Sequence, residues 1–419
     1  MDKIRIIGGK ALQGSVTVSG AKNAALPILF SSLLTGESCR FRRVPLLQDI
    51  RTTLKILKLM GVQVIEHLET NEVTLTAARL SSLEASYDLV RTMRASVLTL
   101  GPLVARFGEA KVSLPGGCAI GARPINFHLH GLERLGATIE LEGGYVIARA
   151  KKLRGNRVGF EFPSVGATEN ILMAAALAEG ESLLENCARE PEIVDLARAL
   201  RAMGARIEGE GTPEIRVQGV TELKGCDFSI MGDRIEAGTF LAAAFATRGA
   251  VTVEGVEAEH LESVLVKLEE AGARITRGQN SVTLESQGRA RATDITTLPH
   301  PGFPTDMQAQ FMTLMAVAEG ASVITETIFE NRFMHVPELV RVGADISIRG
   351  NTALVRGKKE LRGAPLMATD LRASASLVLA GLCAEGETTV NRIYHLDRGY
   401  ERMEEKLRSL GADILRVKE

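Results

Sequence analysis

At 419 residues, with 45% apolar and 24% charged side chains, the chain is long enough for two or three domains with sizeable cores. Fifty Lys and Arg against fifty-one Asp and Glu leave a formal charge of −1, so no global field draws the chain to nucleic acid or to an anionic membrane. Aromatic residues are 4% and Trp is absent, which argues against base-stacking platforms; five cysteines, never closer than 39 positions, suggest neither a disulfide framework nor a zinc cluster.

Near the N-terminus, the run Ala24 to Leu34 follows a strand-like segment and Lys22 and leads into Thr-Gly-Glu-Ser-Cys-Arg, without a small-residue cleavage pattern. No apolar run reaches the length of a bilayer span. A soluble, untargeted cytoplasmic protein is expected.

From there a unit repeats. A helix-like segment leading through Gly into a β-branched strand recurs at Gly36, Gly108, Gly180, Gly249, Gly320 and Gly386, at intervals of 72, 72, 69, 71 and 66. An amphipathic helix ending in Gly-Ala/Val-x-Ile/Val follows each time, at Gly61, Gly136, Gly204, Gly272, Gly343 and Gly411, and every one of these twelve glycines reads as a left-handed helix cap. Each unit closes on a further strand such as Glu72-Val-Thr-Leu-Thr. The sixth stops at Ile414-Leu-Arg-Val-Lys without one, and Ile4-Arg-Ile-Ile near the N-terminus resembles the missing strand. Six units exceed one core, so a three-plus-three split is expected: one domain over 21–230, the other over 231–419 plus 1–20.

Within the second unit, Ser113 to His128 reads as a reactive loop. Gly116, Gly117 and Gly121 permit close backbone approach to a ligand, Cys118 is a thiol among them, and Pro124 suits a first helical position, with Ile125, Leu129, Leu132 and Leu135 continuing at helical spacing. A helix N-terminus and Arg123 beside the thiol favour thiolate. His128 reads as packing.

Counting back 14 residues from the first glycine of each unit reaches Lys22, Arg94, Gly166, Asp306 and Arg372, with Arg234 at 15 in the fourth unit. Arg43, Arg123, Arg189, Arg332 and Arg398 precede the second helices. Arginines at helix starts suit phosphate and carboxylate, although each could instead bridge to an acid such as Glu190 or Asp397. Asp306, between prolines and a helix, is the best acidic candidate for chemistry; an aspartate there can also simply cap. Neither Gly-x4-Gly-Lys-Ser/Thr nor a strand-borne Gly-x-Gly-x-x-Gly occurs, nor a His-Glu-x-x-His pair.

The motifs Ser19-Gly-Ala-Lys-Asn-Ala-Ala, Arg91-Thr-Met-Arg-Ala-Ser, Pro115-Gly-Gly-Cys-Ala-Ile-Gly-Ala-Arg-Pro, Ser164-Val-Gly-Ala-Thr-Glu-Asn, Arg189-Glu-Pro-Glu, Asp233-Arg-Ile-Glu-Ala-Gly-Thr, Thr305-Asp-Met-Gln-Ala-Gln, Glu330-Asn-Arg-Phe and Asp370-Leu-Arg-Ala run along the whole chain. In this order they resemble the UDP-N-acetylglucosamine 1-carboxyvinyltransferase family. The resemblance implies an α/β fold of two inverse α/β-barrel domains, each of three pseudo-symmetric helix-strand repeats. It implies transfer of the enolpyruvyl group of phosphoenolpyruvate to the 3-hydroxyl of UDP-N-acetylglucosamine with release of phosphate, the first committed step of peptidoglycan synthesis.

By the family's pattern Cys118 is the proton donor and Asp306 the base. Lys22, which also counts as catalytic, would hold phosphoenolpyruvate with Asn23, Arg94, Arg123 and Arg398. The nucleotide sugar would meet Asn23, Arg94, Arg123, Pro124, Ile125, Asn126, Phe127, Ser164, Val165, Gly166, Asp306 and Ile328. Neither metal nor organic cofactor is expected. One departure stands out: Phe162 occupies the place of a lysine that some members carry near the diphosphate. A sister family uses the same donor on shikimate 3-phosphate, but the Gly-Gly-Cys loop and its Arg-Pro belong to the UDP-sugar enzymes.

Overall fold

The computed structural model describes residues 2–87, 93–114, 125–329 and 331–418. They form two compact units, one drawn from residues 20–231 and one from 2–19 together with 232–418.

In the first unit three helices, Lys22–Ser31, Leu100–Phe107 and Val165–Ala175, are almost wholly buried and form the middle. Apolar residues predominate in each, and most positions are covered whatever their character, Thr168, Glu169 and Asn170 among them. Close approach is built in: a Cβ on Gly101 would stand 2.3 Å from the Asn170 carbonyl oxygen, and one on Gly131, in the Asn126–Arg134 helix, 2.5 Å from the Ile171 side chain.

Three four-stranded sheets accompany these helices. In each, a short strand leaving the previous repeat lies parallel to the first long strand of the next, and the remaining pairings are antiparallel. Glu84–Ala85 thus joins Glu109–Ser113, and Arg157–Gly159 joins Glu181–Glu185. The last strand, Asp227–Ser229, returns to Ser38–Arg42 of the first repeat and closes a ring of three.

The second unit repeats the plan around Arg234–Ala246, Gln308–Ala316 and Leu371–Cys383. Its closing sheet is completed by the N-terminus: Lys3–Ile7 lies between Glu387–Asn391 and Asp413–Val417, with Ile6 opposite both Thr388 and Ile414. The chain therefore begins with the last strand of its sixth repeat. Gln13–Thr17 then runs parallel to Ala250–Glu254 and closes this ring as well. Phe240, Phe245 and Phe311, buried among the inner helices, carry much of its core, each contributing about 1.5–3 kcal/mol by removal from water.

All six glycines of the second series have positive φ, from 94° to 102°, one residue beyond the C-cap of an amphipathic helix. At the first of them Gly61 N–H bonds the Lys58 carbonyl and Val62 N–H the Leu57 carbonyl, both at 3.0 Å, which satisfies the carbonyls a helix end leaves open. The first series behaves differently. Gly108 caps its helix, while Gly180, Gly320 and Gly386 take positive φ at the start of a strand. Gly36 and Gly249 are not left-handed; before Gly249 the turn falls on Arg248, φ 58°, and Gly249 is needed because a Cβ would stand 2.0 Å from the Leu12 carbonyl oxygen.

Candidate active site

The residues singled out by phase all fall at the beginnings of the inner helices. In the first unit Lys22 opens its helix, Arg94 opens the 3-10 turn Arg94–Thr99 that leads into Leu100–Phe107, and Gly166 is the second residue of Val165–Ala175. Lys22 is 9% exposed, and its Nζ donates to Asp49 Oδ2 at 3.2 Å; Asp49 lies on the Gln48–Leu59 helix and is itself buried. A buried ammonium is tolerable only beside such a partner. Asn23 is half-buried next to it.

Ser164 is the N-cap of its helix, with its hydroxyl accepting from Ala167 N–H at 3.4 Å. Val165 and Gly166 are half-buried in the first turn, whose N–H groups have no acceptor within the helix. A helix start attracts negative charge through its dipole. Phe162, just upstream, is 43% exposed.

The helix after the Cys118 loop begins at Asn126, with Ile125 in the N-cap position, two residues later than Pro124 would have set it. Asn126 is exposed and Phe127 half-buried. His128 packs under Gly166, where a Cβ would stand 3.3 Å from its Cε1, and its Nδ1 pairs with Asn170 Nδ2 at 3.0 Å. Cys118, Arg123 and Pro124 lie outside the described residues.

The second unit brings Asp306, Arg332 and Arg372 together. Asp306 sits in the 3-10 turn Thr305–Met307, its Oδ1 bound by Arg332 Nη2 at 2.7 Å and its Oδ2 by Arg372 Nη2 at 2.8 Å and Nε at 3.1 Å. It does not cap the helix. Burial alone would raise its pKa, but the two guanidiniums outweigh that and hold the carboxyl well below the usual carboxylate range. Both arginine side chains are about 5% exposed or less, against 26% for the aspartate.

The cluster extends in two directions. Arg332 Nη1 donates to the Thr305 hydroxyl at 2.9 Å, and that hydroxyl donates to Glu326 Oε2 at 2.8 Å. Glu326 Oε1 in turn accepts from Ile328 N–H at 2.8 Å, so the Ile328 backbone is tied to the same frame as Asp306. Arg372 lies over the Tyr400 ring, 5.4 Å from its centroid, and the Tyr400 hydroxyl meets Thr239 at 2.9 Å and Gln310 at 3.0 Å. Arg398 ends the 3-10 turn Ile393–Arg398, half-buried. Burial, followed by the charge of Arg398, pushes the pKa of nearby His395 down. Asp397 pairs with Arg416 at 2.5 Å.

The sequence had flagged Arg332 and Arg372 only as helix-start cations; their joint hold on Asp306 was not legible. Asp49, Glu326 and Tyr400 were missed altogether. Twenty-seven positions separate Asp49 from Lys22, and no local pattern joins them.

Comparison with known proteins bears on what this arrangement serves. The family model described as EPSP synthase (3-phosphoshikimate 1-carboxyvinyltransferase) matches residues 6–407. A UDP-N-acetylglucosamine 1-carboxyvinyltransferase of Geobacter metallireducens is 59% identical over 419 residues, covering 100% of both chains. The chain belongs to the UDP-N-acetylglucosamine 1-carboxyvinyltransferases. Among solved structures, the enolpyruvyl transferase NikO from Streptomyces tendae superposes with a TM-score of 0.89 at 26% identity over 99% of each chain. EPSP synthase from Acinetobacter baumannii shares the fold at 20% identity, with a TM-score of 0.78 over 100% of each chain. In this UDP-N-acetylglucosamine 1-carboxyvinyltransferase, basic side chains stand at inner-helix starts in both units, Lys22 in one and Arg234 and Arg372 in the other. Among the described residues no helix is long and apolar enough to cross a membrane.

Proposed function

We propose that this enzyme transfers the enolpyruvyl group of phosphoenolpyruvate to the 3-hydroxyl of UDP-N-acetylglucosamine and releases phosphate, as a cytoplasmic step toward peptidoglycan. The observation that carries the reading is the end-to-end 59% identity to an enzyme of that name. In this reading the Cys118 thiol gives its proton to the methylene carbon, positive charge develops at the enol carbon, and the sugar hydroxyl oxygen bonds there while its proton passes to Asp306. Loss of phosphate and of a proton from the new methyl group restores the double bond.

The geometry of Asp306 bears on its role. A carboxylate held by two arginines is ionised at every physiological pH, so it always offers oxygen lone pairs to the sugar hydroxyl, but it is a weak base. Proton transfer to it is favourable only as the new carbon–oxygen bond forms and makes the hydroxyl acidic. Lys22, Asn23, Arg94, Arg123 and Arg398 would hold the phosphate and carboxylate of phosphoenolpyruvate. Pro124, Ile125, Asn126 and Phe127 would frame the uridine, and the helix start at Ser164, Val165 and Gly166 suits the diphosphate. Asp306 and Ile328 suit the sugar, joined as they are through Thr305 and Glu326. No step calls for a metal or an organic cofactor.

Incubation with phosphoenolpyruvate and either UDP-N-acetylglucosamine or shikimate 3-phosphate tests the reading. Phosphate release is expected with the UDP-sugar; release with the shikimate compound alone would overturn it.

A further inference from the structure

The ring of the first unit closes where Asp227–Ser229 lies parallel to Ser38–Arg42, with Asp227 level with Arg40, Phe228 with Phe41 and Ser229 with Arg42. One step back along both strands sets Cys226 beside Cys39, two residues that are 187 positions apart in the sequence. The backbone is clamped on either side of them. Gly225 N–H bonds Glu37 Oε2 at 2.9 Å, Arg40 N–H bonds the Cys226 carbonyl at 2.8 Å, and Ile230 N–H bonds the Arg42 carbonyl at 3.1 Å. Asp227 pairs with Arg42 at 3.0 Å. The strands approach so closely that a Cβ on Gly225 would stand 2.2 Å from the Ser38 carbonyl oxygen.

Both cysteines are free; Cys39 is fully buried and Cys226 half-buried. The parallel register and the Arg40 N–H bond to the Cys226 carbonyl set the two residues side by side at this seam. Neighbouring strand positions lie within the Cα separation that a disulfide spans.

We propose that Cys39 and Cys226 are a reversible disulfide site that staples the seam of the first unit's ring. The oxidant is a small disulfide such as oxidised glutathione. Cys226, which solvent reaches, loses its proton and attacks one sulfur of the oxidant, forming a mixed disulfide and releasing one thiolate. Cys39 then loses its proton, attacks the Cys226 sulfur and displaces the second thiolate. The pair gives up two protons and two electrons, and the oxidant becomes two thiols. The closed loop spans all three repeats, so the link restricts the unfolded chain far more than a local bridge does. In a reducing compartment such a bond forms and is removed again.

The test uses the full chain. Oxidised glutathione is added, remaining thiols are blocked with iodoacetamide, and the unreduced digest is mapped by mass. The expected result is a Cys39–Cys226 peptide pair lighter by two hydrogens, forming at lower oxidant concentration than any link to Cys187 or Cys383. A rise in the urea midpoint is expected with it, reversed by dithiothreitol and absent in Cys226→Ser. Both cysteines alkylated after oxidation, each carrying its own glutathione, or a link that leaves the midpoint unchanged would overturn the proposal.

Discussion

Asp306→Asn removes one negative charge from between two guanidiniums while keeping the shape of the side chain. Arg332 retains the Thr305 hydroxyl at 2.9 Å, and Arg372 retains the Tyr400 ring at 5.4 Å. Neither contact replaces a carboxylate for arginine side chains that are 5% and 4% exposed. Removing one partner of a buried ion pair costs about 3–5 kcal/mol. The amide oxygen still accepts one hydrogen bond, so the loss is placed near the lower end, about 3 kcal/mol. At about 1.4 kcal/mol per factor of ten, that is a fall of about 150-fold in hydrogen-exchange protection.

The fall is expected in the Leu371–Cys383 helix, whose second residue is Arg372, while the Lys22–Ser31 helix of the other unit keeps its protection. Exchange followed by mass spectrometry resolves the two. If Asp306 also receives the sugar proton, kcat drops about 10²–10⁴-fold in the same variant. Unchanged protection in Leu371–Cys383, or equal losses in both helices, would refute the coupling of Asp306 to its arginines.

Because the Asp306 pKa is depressed in the folded state, its stabilisation is fully present above the ordinary carboxylate pKa and is lost as pH falls through the lowered value. The difference in urea midpoint between wild type and Asp306→Asn is therefore expected to hold from neutral pH down to the ordinary carboxylate range and to shrink below it. Ser164→Ala removes a cap whose hydrogen bond is 3.4 Å long, so about 0.5 kcal/mol is expected, read by thermal melting, with weaker UDP-sugar binding by calorimetry. Deleting residues 2–8 withdraws a strand from the middle of a sheet; circular dichroism and exchange should show the second unit unfolded, and a fully folded deletion would contradict the closure. Cys118→Ser should cut phosphate release severely, and an epoxide phosphonate should alkylate Cys118 ahead of the other four cysteines.

The repeats were legible because each amphipathic helix must end on a left-handed residue that glycine adopts most readily, and six glycines at matching intervals mark those ends. The missing last strand could be read at the N-terminus for a related reason: Ile4 and Ile6 carry the alternation of the strands they replace. The first glycine series was less regular, since Gly249 answers to a backbone neighbour from the N-terminal segment that local sequence does not reveal. The starts of the inner helices could be located by phase, and with them Lys22, Asp306 and Arg372. Which residues pair with which could not, because Asp49 reaches Lys22 from a neighbouring helix, and Arg332 and Arg372 reach Asp306 across 26 and 66 positions. Cys39 and Cys226 illustrate the same limit: spacing alone set them apart, and only closure of the ring makes them neighbours.

The most direct test of the account is proton NMR of the protein turning over phosphoenolpyruvate and UDP-N-acetylglucosamine. Vinyl ether signals on the sugar, growing in step with free phosphate, are the predicted result. Phosphate accumulating with pyruvate and an unaltered nucleotide sugar, or no reaction at all, would contradict it.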